Sequence, residues 1–184
     1  RESHAIVGVT ILDSSSELVS GQHDRRASYV VDGSGLSGRS HSPMPDGNMW
    51  ETHGLFETPN DPLPAHVTFD LGAAYLLTGI RVWNYNESAL NLTSVGAREV
   101  EISVSPTEDP ADLAPLVTAG GKFEFPRADG TSTYVGFDVP LDGAANTDVL
   151  ARVRLVRFSI VNNHGGGEAM TGLSEVRFRG QLAD

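Results

Sequence analysis

The sequence predicts an all-β chain, an antiparallel β-sandwich of the jelly-roll kind, and three observations carry that expectation. Apolar and polar residues alternate with period two in stretch after stretch. Glycine (20) and proline (10) together supply 30 of 184 residues, which provides turns in abundance. Strong helix formers never accumulate over a helical length. At this size one full core is expected and two are not, so residues 1–184 read as a single domain.

Taken in order, strand-like stretches fall at residues 6–12, 28–31, 67–71, 76–84, 100–104, 116–119, 123–125, 134–139, 153–161 and 176–178. The clearest alternations are Val67, Phe69 and Leu71 against Thr68 and Asp70, and Val100, Ile102 and Val104 against Glu99, Glu101 and Ser103. Near the end, Val176 and Phe178 alternate with Glu175, Arg177 and Arg179. In residues 153–161 the phase changes, since Val153 and Leu155 share one parity while Val156, Phe158 and Ile160 share the other; a bulge near Leu155 reconciles them. Only residues 107–113 look helical, with Glu108 and Asp109 early and Pro110 admissible in a first turn.

Composition excludes several functions. With 24 acidic and 13 basic residues the formal charge is -11, which repels a phosphate backbone, so no nucleic-acid partner is expected. The absence of cysteine removes disulfides, thiolate catalysis and Cys-based metal sites. The single lysine, Lys122, lies in a strand-like segment with no activating neighbour in sequence, and no apolar run reaches the length of a membrane-spanning helix.

Residues 33–64 form a long turn-rich stretch carrying Trp50, His41 and His53, and loops of this length inside compact domains are commonly functional. It opens with Gly33-Ser34-Gly35-Leu36-Ser37-Gly38, which fits G-x-G-x-x-G. A phosphate site requires a helix starting within that motif, whereas Arg39-Ser40-His41-Ser42-Pro43 cannot propagate one, so a nucleotide fold is rejected.

Several short motifs in order, Tyr29-Val30-Val31-Asp32-Gly33, Val67-Thr68-Phe69-Asp70-Leu71-Gly72, Ile80-Arg81-Val82-Trp83-Asn84 and Gly172-Leu173-Ser174-Glu175-Val176, resemble those of discoidin (coagulation factor type C) domains and family 32 carbohydrate-binding modules, in the galactose-binding-like superfamily. The resemblance implies a structural Ca²⁺, or Na⁺, joining the early loop to the last strand. Carried across, its ligands are Tyr29, Asp32, Ser34, Ser37, Ser174 and Glu175. Two carboxylates with carbonyls and hydroxyls suit a hard cation that wants six to eight oxygens. The alternative is that Asp32 caps a turn and Glu175 is a solvated strand residue.

The resemblance also implies a glycan partner, possibly galactose-like, for a non-catalytic module of a secreted or cell-surface bacterial protein. Sugar recognition combines an aromatic face with a few fixed polar groups. Residues of those types near the cation turn are His41, Trp50, Glu51, Asn84, Asn86, Arg98, Asn163 and His164, with Trp50 equally suited to the core. Two rival classes remain. A protein-interaction or adhesion module uses the same loops, and a small hydrolase needs only two carboxylates, although no G-x-S-x-G or H-E-x-x-H occurs. Binding to membrane lipid is not expected, because it calls for apolar spikes backed by basic residues, and this chain is acidic.

Overall fold

The computed structural model describes residues 2–54, 56–167 and 169–184. Ten strands join in one antiparallel hydrogen-bonded network: β1 (His4–Ala5), β2 (Thr10–Ser14), β3 (Trp50–Glu51), β4 (Ala65–Asn84), β5 (Glu99–Ser105), β6 (Ala114–Pro115), β7 (Phe123–Glu124), β8 (Phe137–Asp138), β9 (Val153–Ile160) and β10 (Gly172–Leu182). Two small hairpins lie apart from it, Leu18–Val19 with Asp24–Arg25 and Leu36–Ser37 with Ser40–His41.

The twenty-residue β4 is the spine of both layers. Residues 67–70 pair with β9 and with β2, whereas residues 75–84 pair with β10 and, at Arg81 and Val82, with β8. A straight strand would hold Phe69 and Ile80 about 36 Å apart. Phe178 sits opposite Ile80, yet its ring lies 5.2 Å from that of Phe69, so β4 turns back on itself and its halves belong to facing layers. The corner is at Gly72, whose φ of +84° favours glycine. The first layer runs β2–β4–β9–β5, with β6 and β7 against β5; the second runs β8–β4–β10, with β1 and β3 against β10. Between them Phe178, Phe69, Phe158, Phe125 and Phe137 form a chain of edge-on contacts with centroids 5.1–5.5 Å apart.

The anticipated irregularity in β9 is present as a register shift between Val153 and Leu155, which lets Val153, Leu155, Val156, Phe158 and Ile160 all be buried. Other short stretches differ from the alternation reading. Of residues 28–31 the first three lie in a 3₁₀ turn, Ala27–Val30, because the buried pair Ala27 and Val30 is spaced by three. The helix expected at 107–113 shrinks to Pro110–Asp112, with Asp109 accepting from the Ala111 amide. The strand expected at 116–119 pairs instead at Ala114–Pro115, and the chain turns again at Ala119–Gly121 through the positive φ of Gly120.

Candidate functional site

The early loop and the last strand meet at Glu175. After the Ala27–Val30 turn, Gly33 takes a φ of +81° and its amide donates to Glu175 Oε1 at 3.2 Å, while Arg177 Nη2 lies 2.9 Å from the same oxygen. Asp32 Oδ1 accepts from the amide and hydroxyl of Ser34, forming the turn cap considered above. Glu175 is not the solvated strand residue of the alternative reading: it is 0% exposed. Its Oε2 and the Oγ of Ser174 are buried without a partner among the described residues. Ser174 occupies the register shift between Leu173 and Glu175, which breaks the regular ladder at this point. Burial is the largest influence on the Glu175 carboxyl and, reinforced by Asp32, pushes its pKa up to about 8 against the pull of Arg177 and the Gly33 amide. Tyr29 lies in the 3₁₀ turn, where its hydroxyl donates to Asp24 Oδ2 at 2.6 Å, and Ser37 lies in the Leu36–Ser37 hairpin strand.

The end of the sandwich where β4 runs out and β10 begins gathers the loops that carry the expected ligand groups. Six of the eight, His41, Trp50, Glu51, Asn84, Asn86 and Asn163, are buried, so they are corrected from ligand contacts to structural residues. Trp50 is 0% exposed in the main core and its indole donates to Ser16 O at 2.8 Å. Asn84 makes four bonds: its amide group donates to Ala97 O and Pro126 O, and its Oδ1 accepts from the amides of Tyr85 and Ala97. Asn86 donates to His41 O and Thr131 O and accepts from Gly130 N. Asn163 links Met170 O to Gly165 N. Both ring nitrogens of His41 face carbonyls, Ser42 O at 2.8 Å and Ser34 O at 3.0 Å, and burial lowers its pKa. A neutral ring has one N–H, so only one of those carbonyls receives a hydrogen. His164 is half-buried on Phe125 O, and Arg98 is exposed 3.8 Å from Glu124.

Glu51 belongs to a buried cluster. Arg25 Nη1 donates to Glu51 and reaches Glu87 Oε2 at 3.1 Å, and the Tyr85 hydroxyl lies 2.6 Å from Glu51 Oε2 and 2.7 Å from Glu87 Oε2. Tyr85 has one hydroxyl proton for two carboxyls. Burial is the main influence raising the Glu51 pKa and Glu87 adds to it, against the pull of the Tyr85 hydroxyl and of Arg25. This pair has the proximity a two-carboxylate hydrolase needs, but Glu51 is 4% and Glu87 8% exposed, which leaves no room for a glycosidic bond between them.

A residue of the right chemistry lies on the surface instead. Phe56 is 94% exposed, and among the described residues no other aromatic side chain is in the exposed class. Its loop is anchored by the Gly54 amide donating to Glu57 Oε2 at 2.6 Å and by His53 between Pro59 O and Glu17 O. Gly54 packs beside Met170, which joins this loop to the one after Asn163. Nearby on the same end, Arg127 holds the exposed Asn91 through Nη2 at 2.6 Å and Thr93 through Nε at 2.9 Å. Leu90 and Asn91 have φ of 52° and 62°, unusual for residues with a Cβ. Phe56 falls in the turn-rich stretch 33–64, where its lack of periodic apolar neighbours was the available signal.

No protein-family model and no curated protein matches the chain. Solved structures do. CBM32-3 from a family 31 glycoside hydrolase of Clostridium perfringens superposes with a TM-score of 0.62 at 13% identity, over 97% of this chain and 95% of that one. The C-terminal domain of a chitobiase from Bacteroides fragilis gives 0.64 at 16%, covering 100% of both. The family 32 module of C. perfringens NanJ, solved in complex with galactose, gives 0.59 at 16%, over 97% and 99%. The chain therefore has the discoidin-like β-sandwich fold of the family 32 carbohydrate-binding modules.

Proposed function

We propose that this chain is a non-catalytic carbohydrate-binding module that takes a galactose-like glycan at its loop end, as an appendage of a secreted or cell-surface bacterial protein. The observation that carries the reading is the end-to-end correspondence with family 32 modules, including one solved with galactose and one with GalNAc-β-1,3-galactose. The geometry of the loop end supports it: a rigid frame of buried Asn84, Asn86 and Asn163 holds loops that present Phe56 to solvent. A fixed frame lowers the ordering cost of binding, and an aromatic face suits the C–H side of a sugar ring.

A glycan array tests the class. Phe56→Ala is expected to weaken binding of the best glycan about tenfold while leaving the melting curve in place, as loss of one stacking contact requires. Turnover of a glycoside without array binding would establish a hydrolase instead, and specific capture of a protein with no glycan signal would establish an adhesion module.

The same reading includes a structural Ca²⁺, with Na⁺ as the other candidate. The residues fit it: the orphaned Glu175 Oε2 and Ser174 Oγ are buried oxygens, and Asp32 lies close enough to raise the Glu175 pKa. Asp32 and Glu175 would supply the charge, and Tyr29, Ser34, Ser37 and Ser174 carbonyl or hydroxyl oxygens. Its role would be to tie the early loop to β10.

A further inference from the structure

Although the chain carries a formal charge of -11, four of its thirteen basic residues line one groove of about 390 Å³ on the outer face of the second layer. They are Arg39, Arg81, Arg177 and Arg179, and Asp138 is the one carboxylate among the lining residues. Strand alternation puts them there: Val176 and Phe178 point into the core, so Arg177 and Arg179 point out. The register then sets Arg177 directly opposite Arg81, a like-charged cross-strand pair that is destabilising unless an anion sits between.

The guanidinium groups are positioned but far from saturated. Arg81 donates to Asp138 Oδ1 at 3.0 Å and to Val135 O, lies 5.4 Å over the Trp83 ring, and has a buried Nε without a partner. Arg177 is held by Glu175 and Arg179 by Ser3 O at 3.0 Å, one contact each for groups with five N–H donors. Arg39 is exposed, and no partner for its side chain is found among the described residues. Opposite Arg179 stands Gly79, which leaves the floor bare; a Cβ there would make only ordinary contact with Arg179, at 3.7 Å.

We propose that this groove is a second ligand site, distinct from the loop end, that binds a carboxylate-bearing sugar of the hexuronate class. The carboxylate pairs with Arg39 and Arg177, and the ring lies over Gly79. Guanidinium matches a carboxylate in geometry and charge, and the volume suits a small saccharide. That the anion is a sugar rests on the carbohydrate-binding reading; that the groove takes an anion does not.

The test is a titration of the ¹⁵N-labelled chain, followed by amide shifts, with galacturonate, galactose, acetate at equal ionic strength and a short aspartate peptide. Saturable shifts at Gly79, Arg177 and Arg179 are expected with galacturonate and not with galactose. Arg39→Ala, which removes an exposed side chain, and Gly79→Leu, which fills the groove without changing charge, are each expected to weaken that binding about tenfold. Equal affinity for acetate, tighter binding of the peptide, no saturable shift, or unchanged affinity in both variants would each overturn the proposal. Shifts at the loop end with galactose report on the other site, so the two readings fail separately.

Discussion

In EDTA the wild-type protein is expected to lose about 4 kcal/mol of stability between pH 4.5 and pH 8 relative to Glu175→Gln. The sign follows from burial. A carboxyl whose pKa rises from 4.5 unfolded to about 8 folded binds its proton more tightly in the native state, so its stabilising contribution is fully present below pH 4.5 and is lost as pH rises through 8. The Gln variant keeps the shape and cannot ionise, so at pH 8 in chelator it is expected to be the more stable protein. Added Ca²⁺ should reverse the order, because an ionised Glu175 becomes a ligand and Gln is a poorer one. Denaturant unfolding at the two pH values, with and without Ca²⁺, reads both effects. Parallel pH profiles for the two proteins in EDTA would remove the buried-acid assignment; a wild type indifferent to Ca²⁺ at pH 8 would remove the cation.

The parts of this molecule that were legible in sequence are those where burial and periodicity coincide. β5 and β10 have one face in the core, so Val100, Ile102 and Val104, or Val176 and Phe178, announce themselves by alternation. The turn at Ala27–Val30 has the same apolar content spaced by three, and a four-residue window cannot separate the two periods. Asp32 and Glu175 were found through motif order, yet nothing local distinguishes a buried Glu175 from Glu99 or Glu101 on an exposed strand face.

Six of the residues expected to meet a ligand at the loop end are buried instead, for a physical reason. Asn84, Asn86, His41 and Glu51 have the donors and acceptors of a sugar site, and the same groups are what a protein uses to satisfy buried loop backbone. Only the identity of the partners separates the two uses, and those partners lie up to 45 residues away in the chain. The arginine groove is invisible in sequence for a related reason. Arg39, Arg81 and Arg177 are far apart along the chain, and register alone brings the last two face to face.

Trp50→Ala is expected to destabilise the fold by about 3–5 kcal/mol, the range for removing a large buried aromatic. Trp50 is 0% exposed, and its strand is only two residues long, paired at Gly172 and Leu173 at the start of β10. The approach is so close that a Cβ on Gly172 would fall 2.2 Å from Trp50 O, so neighbouring backbone has little freedom to collapse into the space left by the indole. The substitution also orphans Ser16 O, which receives the indole N–H. Trp50→Phe retains most of the apolar volume and should cost markedly less, which separates packing from the hydrogen bond. Urea unfolding of the three proteins measures this directly. If Trp50→Ala unfolded at the wild-type midpoint while glycan binding vanished, Trp50 would be a ligand contact and its place in the core would be wrong. Phe56→Ala is the opposite control: 94% exposed, it should move binding and leave the unfolding midpoint unchanged.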